Sequence, residues 1–378
     1  MSWRESFLSR FGPGAFGGVT FGRWIGILRD NGFAIDPPYL GRAAVVTAVS
    51  LQNSAQALLE NLVYGRRVRE AKVGPPVFIL GIWRSGTTHL HNLLARDPRF
   101  AYPNNYQVCY PLTFLTTERT NARLVGFFVP EKRPQDNVSL GISEPQEDEF
   151  AFCSLTGRIK SMAWVFPRRA DHYNRYLTFR DADAAEVAEW KAAMTTFVKK
   201  LSFKYGGRPL VLKSPGHTAR IRLLLELFPD ARFVHIHRNP FVVFQSTRHM
   251  LRAVAPWFAL QRPDHADLDG RVLRQYREVY DTFFEERGLI PKGRYHDLGF
   301  EELEADPIGR LRATYEALDL PDFTQVEPAI ARYLGSVAGY KKNVFPEFAP
   351  ELRGRVVSEC RRGFDEWDYP VNGLPDGR

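Results

Sequence analysis

Four short apolar runs along the chain predict the strands of one sheet. They cover residues 77–80, 209–213, 232–237 and 294–298, and their length is that of buried strands. Longer segments with apolar residues at helical spacing follow or separate them, at 87–94, 184–203, 217–228, 240–250, 268–286 and 307–318. Because strands that alternate with helices form parallel sheets, the pattern predicts an α/β fold with a central parallel sheet flanked by helices.

The residues before the first predicted strand form a separate region of helical pattern. We predict an N-terminal helical extension over residues 1–72, with helices at 21–33 and 41–69, and a main domain over residues 73–378. The apolar run in the second helix is too short to span a bilayer. Two interpretations stay open. The helices pack on the core, or they contact a membrane surface with Trp24 and the Arg66–Arg67 pair at the interface.

A glycine-bounded loop follows the first predicted strand and has the spacing of a phosphate-binding Walker A motif. Gly81, Gly86 and Thr88 occupy three of its fixed positions, but Thr87 stands where that motif has a lysine. The cation of this loop is Arg84 instead. Loop amides and the N-terminus of the following helix suit one anion. In the Walker A motif that lysine binds the terminal phosphates of a nucleoside triphosphate. Its absence here therefore predicts that the loop binds a different phosphoanhydride.

Positively charged residues end or follow three of the predicted strands. Arg84 follows the first strand, Lys213 ends the second, and Arg238 directly follows the third. Ligands of parallel sheets bind at the carboxyl ends of the strands. The sequence therefore predicts that three cations converge on one anionic ligand.

The amino-acid composition indicates which classes of partner and which cellular compartment to expect. The chain has 378 residues, with 51 lysines and arginines against 43 acids and a formal net charge of +8, which suits an anionic ligand or an anionic membrane surface. Basic tails and zinc-binding spacings do not occur, so nucleic acid is not expected as a partner. Three separated cysteines and the lack of an apolar signal segment in residues 1–10 predict a cytoplasmic location.

Two motifs together resemble those of a known family. The run Arg84-Ser-Gly-Thr-Thr88 after an apolar strand resembles the 5′-phosphosulfate loop of sulfotransferases, which use 3′-phosphoadenosine-5′-phosphosulfate (PAPS). The run 233–240, with Arg238 and then Ser246 eight residues later, resembles their 3′-phosphate motif. On these motifs residues 76–345 are identified as a sulfotransferase domain of P-loop-like fold. The resemblance implies that PAPS is bound by Arg84, Ser85, Gly86, Thr87, Thr88, Arg238 and Ser246.

Further roles follow from a resemblance to tyrosylprotein sulfotransferases. By that match Lys213 would act on the transferring sulfuryl group, Tyr295 would contact the nucleotide, and Lys341 or Lys342 would close over it. The implied reaction is in-line transfer of a sulfuryl group to a hydroxyl or an amine. Fixed donors such as Lys213 and Arg84 would stabilise the charge that develops on the leaving phosphate, so no metal is expected.

The general base is the open part of this scheme. The family's glutamate is replaced in segment 102–110, predicted to be extended, by Gln107, which cannot accept a proton as a base. Glu147 and Asp148 are the first candidates, followed by His89 and His91. The acids of residues 144–149 have a second interpretation, as the first turn of a helix begun by Pro145.

Two other functions remain open on the sequence alone. A small-molecule kinase would require magnesium and a lysine in the loop, and a non-catalytic nucleotide-binding or membrane-surface protein would bind PAPS without transferring sulfate. The acceptor is expected to be a small molecule or a lipid. Trp164, Trp190 and Trp257 have two interpretations, as contacts of an apolar acceptor or, more commonly for tryptophan, as core residues. A hydrophobic alcohol would accord with peripheral contact of the N-terminal helices with a membrane.

Overall fold

The protein is described by a computed structural model that covers residues 8, 11–128, 133, 135–136, 138, 141–264, 266–340 and 342–371. The chain folds into two compact units. The first contains Met1–Gly74, Ala101–Leu210 and Arg252–His265, and the second contains Pro75–Phe100, Val211–Leu251 and Ala266–Arg378. The N-terminal helices therefore share a unit with residues 101–210, and the division after residue 72 stays a prediction.

The second unit contains a four-stranded parallel sheet of order β2-β1-β3-β4. Its strands are β1 (Val77–Leu80), β2 (Val211–Lys213), β3 (Arg232–His237) and β4 (Tyr295–Gly299). In the register, Val77 is paired with Val211 on one side and with Arg232 on the other, and His237 is paired with Gly299. The predicted α/β fold with a central parallel sheet is confirmed, and β4 begins one residue later than the apolar pattern indicated.

Helices account for most of the remaining chain. Up to residue 210 they are α1 (Phe21–Asp30), α2 (Leu40–Glu70), α3 (Thr87–Leu94), α4 (Asn105–Cys109), α5 (Phe114–Phe128), α6 (Glu149–Leu155), α7 (Met162–Val165), α8 (Ala170–Asn174) and α9 (Ala184–Lys204). After it they are α10 (Ile221–Leu227), α11 (Pro240–Phe258), α12 (Leu268–Glu286), α13 (Phe300–Ala305), α14 (Pro307–Ala317), α15 (Glu327–Val337), α16 (Pro350–Glu359) and α17 (Arg361–Glu366). Short 3₁₀ turns lie at Gly14–Phe16, Pro37–Tyr39, Pro167–Arg169, Pro215–Ala219, Arg287–Leu289 and Phe323–Gln325.

The core of the second unit covers one face of the sheet and fixes the strand ends. Alternate strand residues such as Ile79, Val234 and Ile236 are buried against Leu90 and Leu94 of α3. Burial of each such side chain contributes about 1.5–3 kcal/mol relative to exposure. The loop between β1 and α3 is therefore held between two buried elements.

Three local predictions differ from the structure. Segment 102–110 was expected to be extended, but residues Asn105–Cys109 form α4. The Asn104 side chain accepts a hydrogen bond from the Gln107 backbone (2.9 Å), and the Gln107 side chain accepts one from the Asn104 backbone (3.1 Å). This capping box starts the helix.

Pro145 does not begin a helix, since α6 begins at Glu149. The single helix predicted at 217–228 is split into a 3₁₀ turn and α10, with non-helical backbone at Arg220 (φ −140°) between them.

The N-terminal helices belong to the first unit, and the structure corrects one part of their interpretation. Trp24 is fully buried and its indole nitrogen donates to Thr47 Oγ1 (2.9 Å), so Trp24 does not lie at a membrane interface. Among the described helices, none combines the length and the apolar character that crossing a bilayer requires.

Candidate active site

The loop after β1 is held in a tight conformation by its own backbone and by Thr218. Gly81 (φ +141°) donates its backbone N–H to Thr218 Oγ1 at 2.7 Å, and Ser85 Oγ donates to the Ile82 carbonyl at 2.8 Å. Arg84 has a positive φ (+72°), a conformation that non-glycine residues adopt rarely and mostly at functional sites. The predicted residue Ser85 is thus fully buried, and its side chain stabilises the loop.

Gly86 ends the loop where only a glycine fits. Its φ is +102°, and a Cβ at this position would lie 2.3 Å from Cδ2 of Phe300. Thr87 begins α3, and the first amides of a helix have no intrahelical acceptor. Loop and helix N-terminus together form a cradle for one anion, as the spacing of the motif predicts.

Two residues that the sequence assigned to opposite ends of one nucleotide are in direct contact. Arg84 Nε donates to the hydroxyl of Ser246, on α11, at 2.9 Å. Thr247, the next residue on this helix, donates its hydroxyl to the Trp83 carbonyl at 3.3 Å. The N-terminal turns of α11 are therefore joined to the phosphate-binding loop within the second unit.

Arg238 is a half-buried cation without a carboxylate within ion-pair distance among the described residues. Its guanidinium lies 4.1 Å from the centroid of the Phe300 ring, and one terminal nitrogen reaches the Arg84 carbonyl at 3.4 Å. Its Nε is buried and makes no hydrogen bond. Burial lowers the pKa of Arg238 from its ordinary value, while Glu301 and Glu304 oppose that shift. A partly desolvated charge with an unbonded, buried Nε is stabilised by a counter-ion, so the site is suited to an anion.

Lys213 is the third cation at this edge of the sheet. It ends β2, is almost fully buried, and its Nζ lies 3.3 Å from the hydroxyl of Thr88. The predicted residues Arg84, Thr88, Lys213, Arg238 and Ser246 are therefore linked by side-chain contacts or by the shared loop. Because three neighbouring strands end here, the carboxyl edge of the sheet concentrates positive charge.

The other described residues predicted to contact the nucleotide do not lie in the cluster formed by Arg84, Lys213 and Arg238. Tyr295 is the first residue of β4, four residues before the strand end at Gly299, or about 13 Å from that edge. Burial, together with neighbouring Asp297, raises the pKa of the Tyr295 hydroxyl. Lys342 is exposed, pairs with Glu304 at 2.7 Å, and lies 6.0 Å from the Phe300 ring that Arg238 also contacts. Lys341 lies outside the described residues.

The candidate bases fall into both units. Glu147 is half-buried and Asp148 is fully buried, and both precede α6 in the first unit. His89 lies on α3 in the second unit, with its ring 6.4 Å from that of Phe300, and burial lowers its pKa, which favours the neutral imidazole that a base requires. Gln107 is fully buried and donates to Glu118 and to the Tyr205 hydroxyl (2.8 Å). Its role is structural.

Three residues of this site carry no motif and were missed in the sequence. Thr218 lies in a 3₁₀ turn after β2, and Phe300 and Glu301 follow β4. Glu301 accepts a hydrogen bond from the Asn239 backbone (3.3 Å), next to Arg238. The rule that ligands bind at strand ends could have indicated Phe300 and Glu301, because they directly follow the fourth strand.

Comparison with known proteins gives the family. The model described as "Sulfotransferase family" matches residues 75–325, which include the sheet and the three cations Arg84, Lys213 and Arg238. The chain belongs to the sulfotransferase family. It is therefore a transferase that requires a sulfate donor.

Relatives of this sulfotransferase extend beyond the matched region. Two are 38% identical over 353 residues, covering 93% of this chain and 90% of theirs. Both are named omega-hydroxy-beta-dihydromenaquinone-9 sulfotransferase Stf3, from Mycobacterium bovis and Mycobacterium tuberculosis.

Two solved structures have the same fold. Sulfotransferase STF9 from Mycobacterium avium has a TM-score of 0.69 at 22% identity, covering 92% of this chain and 91% of its own. Sulfotransferase STF1 from Mycobacterium tuberculosis has a TM-score of 0.65 at 16% identity, covering 90% and 91%. The predicted sulfotransferase fold is confirmed.

Proposed function

We propose that this sulfotransferase moves a sulfuryl group from PAPS to the hydroxyl of a lipid or of another hydrophobic small molecule, with an amine as the less favoured acceptor. The observation that supports the donor is Arg238, a half-buried guanidinium with a buried Nε that makes no hydrogen bond and no carboxylate within ion-pair distance among the described residues, beside Arg84 and the glycine-bounded cradle. A ligand with phosphate groups at two ends fits these two sites.

The residues have distinct roles in this proposal. The fork of donors on Arg238 and the hydroxyl of Ser246 would bind the 3′-phosphate, while the loop amides, Arg84 and Thr88 would bind the 5′-phosphosulfate. The co-substrate supplies the sulfuryl group. Lys213, held close to Thr88, would donate to the bridging oxygen as negative charge develops there.

The acceptor class follows from the relatives. Both have names that specify a hydroxylated menaquinone derivative, and they are 38% identical over nearly the whole chain. We therefore propose a hydrophobic acceptor with a free hydroxyl. A group must accept the proton of that hydroxyl, and Glu147, Asp148, His89 and His91 remain the proposed bases.

A lipid acceptor also bears on location. The three cysteines Cys109, Cys153 and Cys360 are unpaired, which suits a reducing compartment. We propose that the enzyme works in the cytoplasm and contacts a membrane peripherally, where it meets the acceptor.

Radiolabelled PAPS tests this function directly. The protein is incubated with the labelled donor and with lipid, phenol and sugar fractions, and transfer is measured in each. Label should enter the lipid fraction, and Arg238→Ala should abolish incorporation at low donor concentration while the exposed arginine control Arg332→Ala leaves it unchanged. Stabilisation of the protein by magnesium–ATP and not by 3′-phosphoadenosine 5′-phosphate would overturn the proposal.

A further inference from the structure

Helix α2 (Leu40–Glu70) has polar residues on its buried face. The Asn53 side chain is buried and donates to the carbonyl of Val19 at 3.0 Å. The Glu60 carboxylate is buried and pairs with the ammonium group of Lys200. The residues that bind this helix to the first unit are therefore largely polar, contrary to the usual pattern of a surface helix.

The opposite face of α2 is apolar and exposed. Leu51, Ala55, Leu58, Leu59 and Leu62, here called the apolar stripe, follow one another at helical spacing on one side. The leucines of the stripe are 56%, 62%, 54% and 74% exposed in chain order. A helix face in contact with water is normally polar, whereas this exposed face of α2 is apolar.

Exposed apolar side chains are concentrated in this part of the molecule. Ten of the thirteen large apolar side chains that are exposed among the described residues lie within residues 11–63. Single exposed leucines are ordinary, but a contiguous group marks a surface that contacts something other than water.

The distribution of charged residues along α2 indicates what kind of surface the apolar stripe contacts. From residue 40 to residue 59 the only charged side chain is Arg42, which is buried and donates to the Ala259 carbonyl at 2.7 Å. Beyond the stripe the helix carries Arg66, Arg67 and Arg69, all exposed. The surface is thus a continuous apolar area with positive charge at one end.

We propose that the apolar stripe of α2 docks this protein on an anionic membrane surface, with the leucines at the boundary of the acyl chains and the arginines at the anionic headgroups. A helix with one apolar face and arginines beside it is the pattern of interfacial binding. A second copy of the chain fits less well. The exposed acid of α2 is Glu70, which already pairs with Arg66 at 2.9 Å, so no acidic group of another α2 remains to meet the arginines. The proposal rests on the proposed function only for the lipid nature of the acceptor.

Vesicle flotation tests the docking surface. The full chain is mixed with phosphatidylcholine vesicles with and without phosphatidylglycerol, and the bound fraction is measured. We expect binding to the anionic vesicles that falls at least about tenfold in the double variant Leu58→Gln, Leu62→Gln. The matched control Val344→Gln removes an apolar side chain that is 95% exposed elsewhere, and it should bind as the wild type does.

Two further sets of measurements test the role of the arginines and check that each variant is folded. Arg67→Gln with Arg69→Gln should lower binding to the anionic vesicles about tenfold and remove its dependence on salt, while Arg332→Gln should not. Every variant should keep the wild-type stabilisation by 3′-phosphoadenosine 5′-phosphate, which separates failure of docking from failure of the proposed function. Absence of vesicle binding in the wild type would overturn the proposal. So would a dimer in light scattering that becomes a monomer in the leucine variant.

Discussion

Replacing Arg238 with methionine should weaken nucleotide binding strongly while lowering the stability of the empty protein only slightly or raising it. Arg238 is half-buried, its buried Nε makes no hydrogen bond, and no carboxylate lies within ion-pair distance among the described residues. Exchanging a buried charge for an apolar side chain of similar volume is neutral or stabilising by about 1–4 kcal/mol. Methionine has the length to follow the path of the arginine stem.

The size of the change in stability and of the change in nucleotide affinity follows from the contacts that Arg238 makes. Loss of the contact with the Phe300 ring, 4.1 Å away, costs about 0.5–2 kcal/mol, which leaves a net change in the free energy of unfolding between about −1 and +3.5 kcal/mol. The melting temperature should therefore change by between roughly −2 and +7 °C. Removal of two hydrogen bonds to a phosphate at about 1.5–3 kcal/mol each should weaken nucleotide binding by about 10² to 10⁴.

Thermal unfolding and calorimetry measure both quantities. The melting temperature is recorded with and without 3′-phosphoadenosine 5′-phosphate, and calorimetric titration gives the Kd. The exposed arginine control Arg332→Met should change neither. The reasoning is wrong if Arg238→Met lowers the melting temperature of the empty protein by several degrees while the Kd stays at the wild-type value, because Arg238 would then be a structural residue.

Three other predictions address the chemistry and the scaffold. Lys213→Ala should lower kcat by about 10²–10³ with a smaller effect on nucleotide Kd, and equal losses in both would contradict its role in transfer. Gly86→Ala should destabilise the protein by about 2–5 kcal/mol in denaturant unfolding, because strain at φ +102° adds to the clash with Phe300, while Gly293→Ala, with φ +79° and open space, should cost about 1–2 kcal/mol. Burial lowers the pKa of His237 to about 4 from 6.5, so the unfolded chain binds a proton between these pH values and the folded protein does not. Stability should fall by up to about 3 kcal/mol as the pH drops from 7 to 4, and His237→Asn should flatten that fall in urea titrations.

The sheet and its cations could be predicted because each depends on a local pattern. The strands are short apolar runs, and Arg84, Lys213 and Arg238 are placed by the rule that strand ends meet at one edge. The contact between Arg84 and Ser246 could not be predicted, because their motifs assign them to opposite ends of one nucleotide. The roles given to these residues in binding and transfer stay predictions.

The parts that the sequence did not reveal depend on partners distant along the chain. Phe300 is linked to Gly86 only through the fold, so no spacing rule connects them. The orientation of α2 is set by the pair of Glu60 with Lys200, and hydrophobic periodicity alone would have turned its leucines inward. Burial of Trp24 follows from the same orientation, because its indole is bound to Thr47 of that helix.

A crystal structure of the protein with 3′-phosphoadenosine 5′-phosphate tests the central claim most directly. The account predicts the 3′-phosphate at hydrogen-bond distance from Arg238 and Ser246, and the 5′-phosphate against the amides of residues 84–88 with Lys213 beside it. A nucleotide bound with its 3′-phosphate remote from Arg238, or with no phosphate in the loop between β1 and α3, would contradict it.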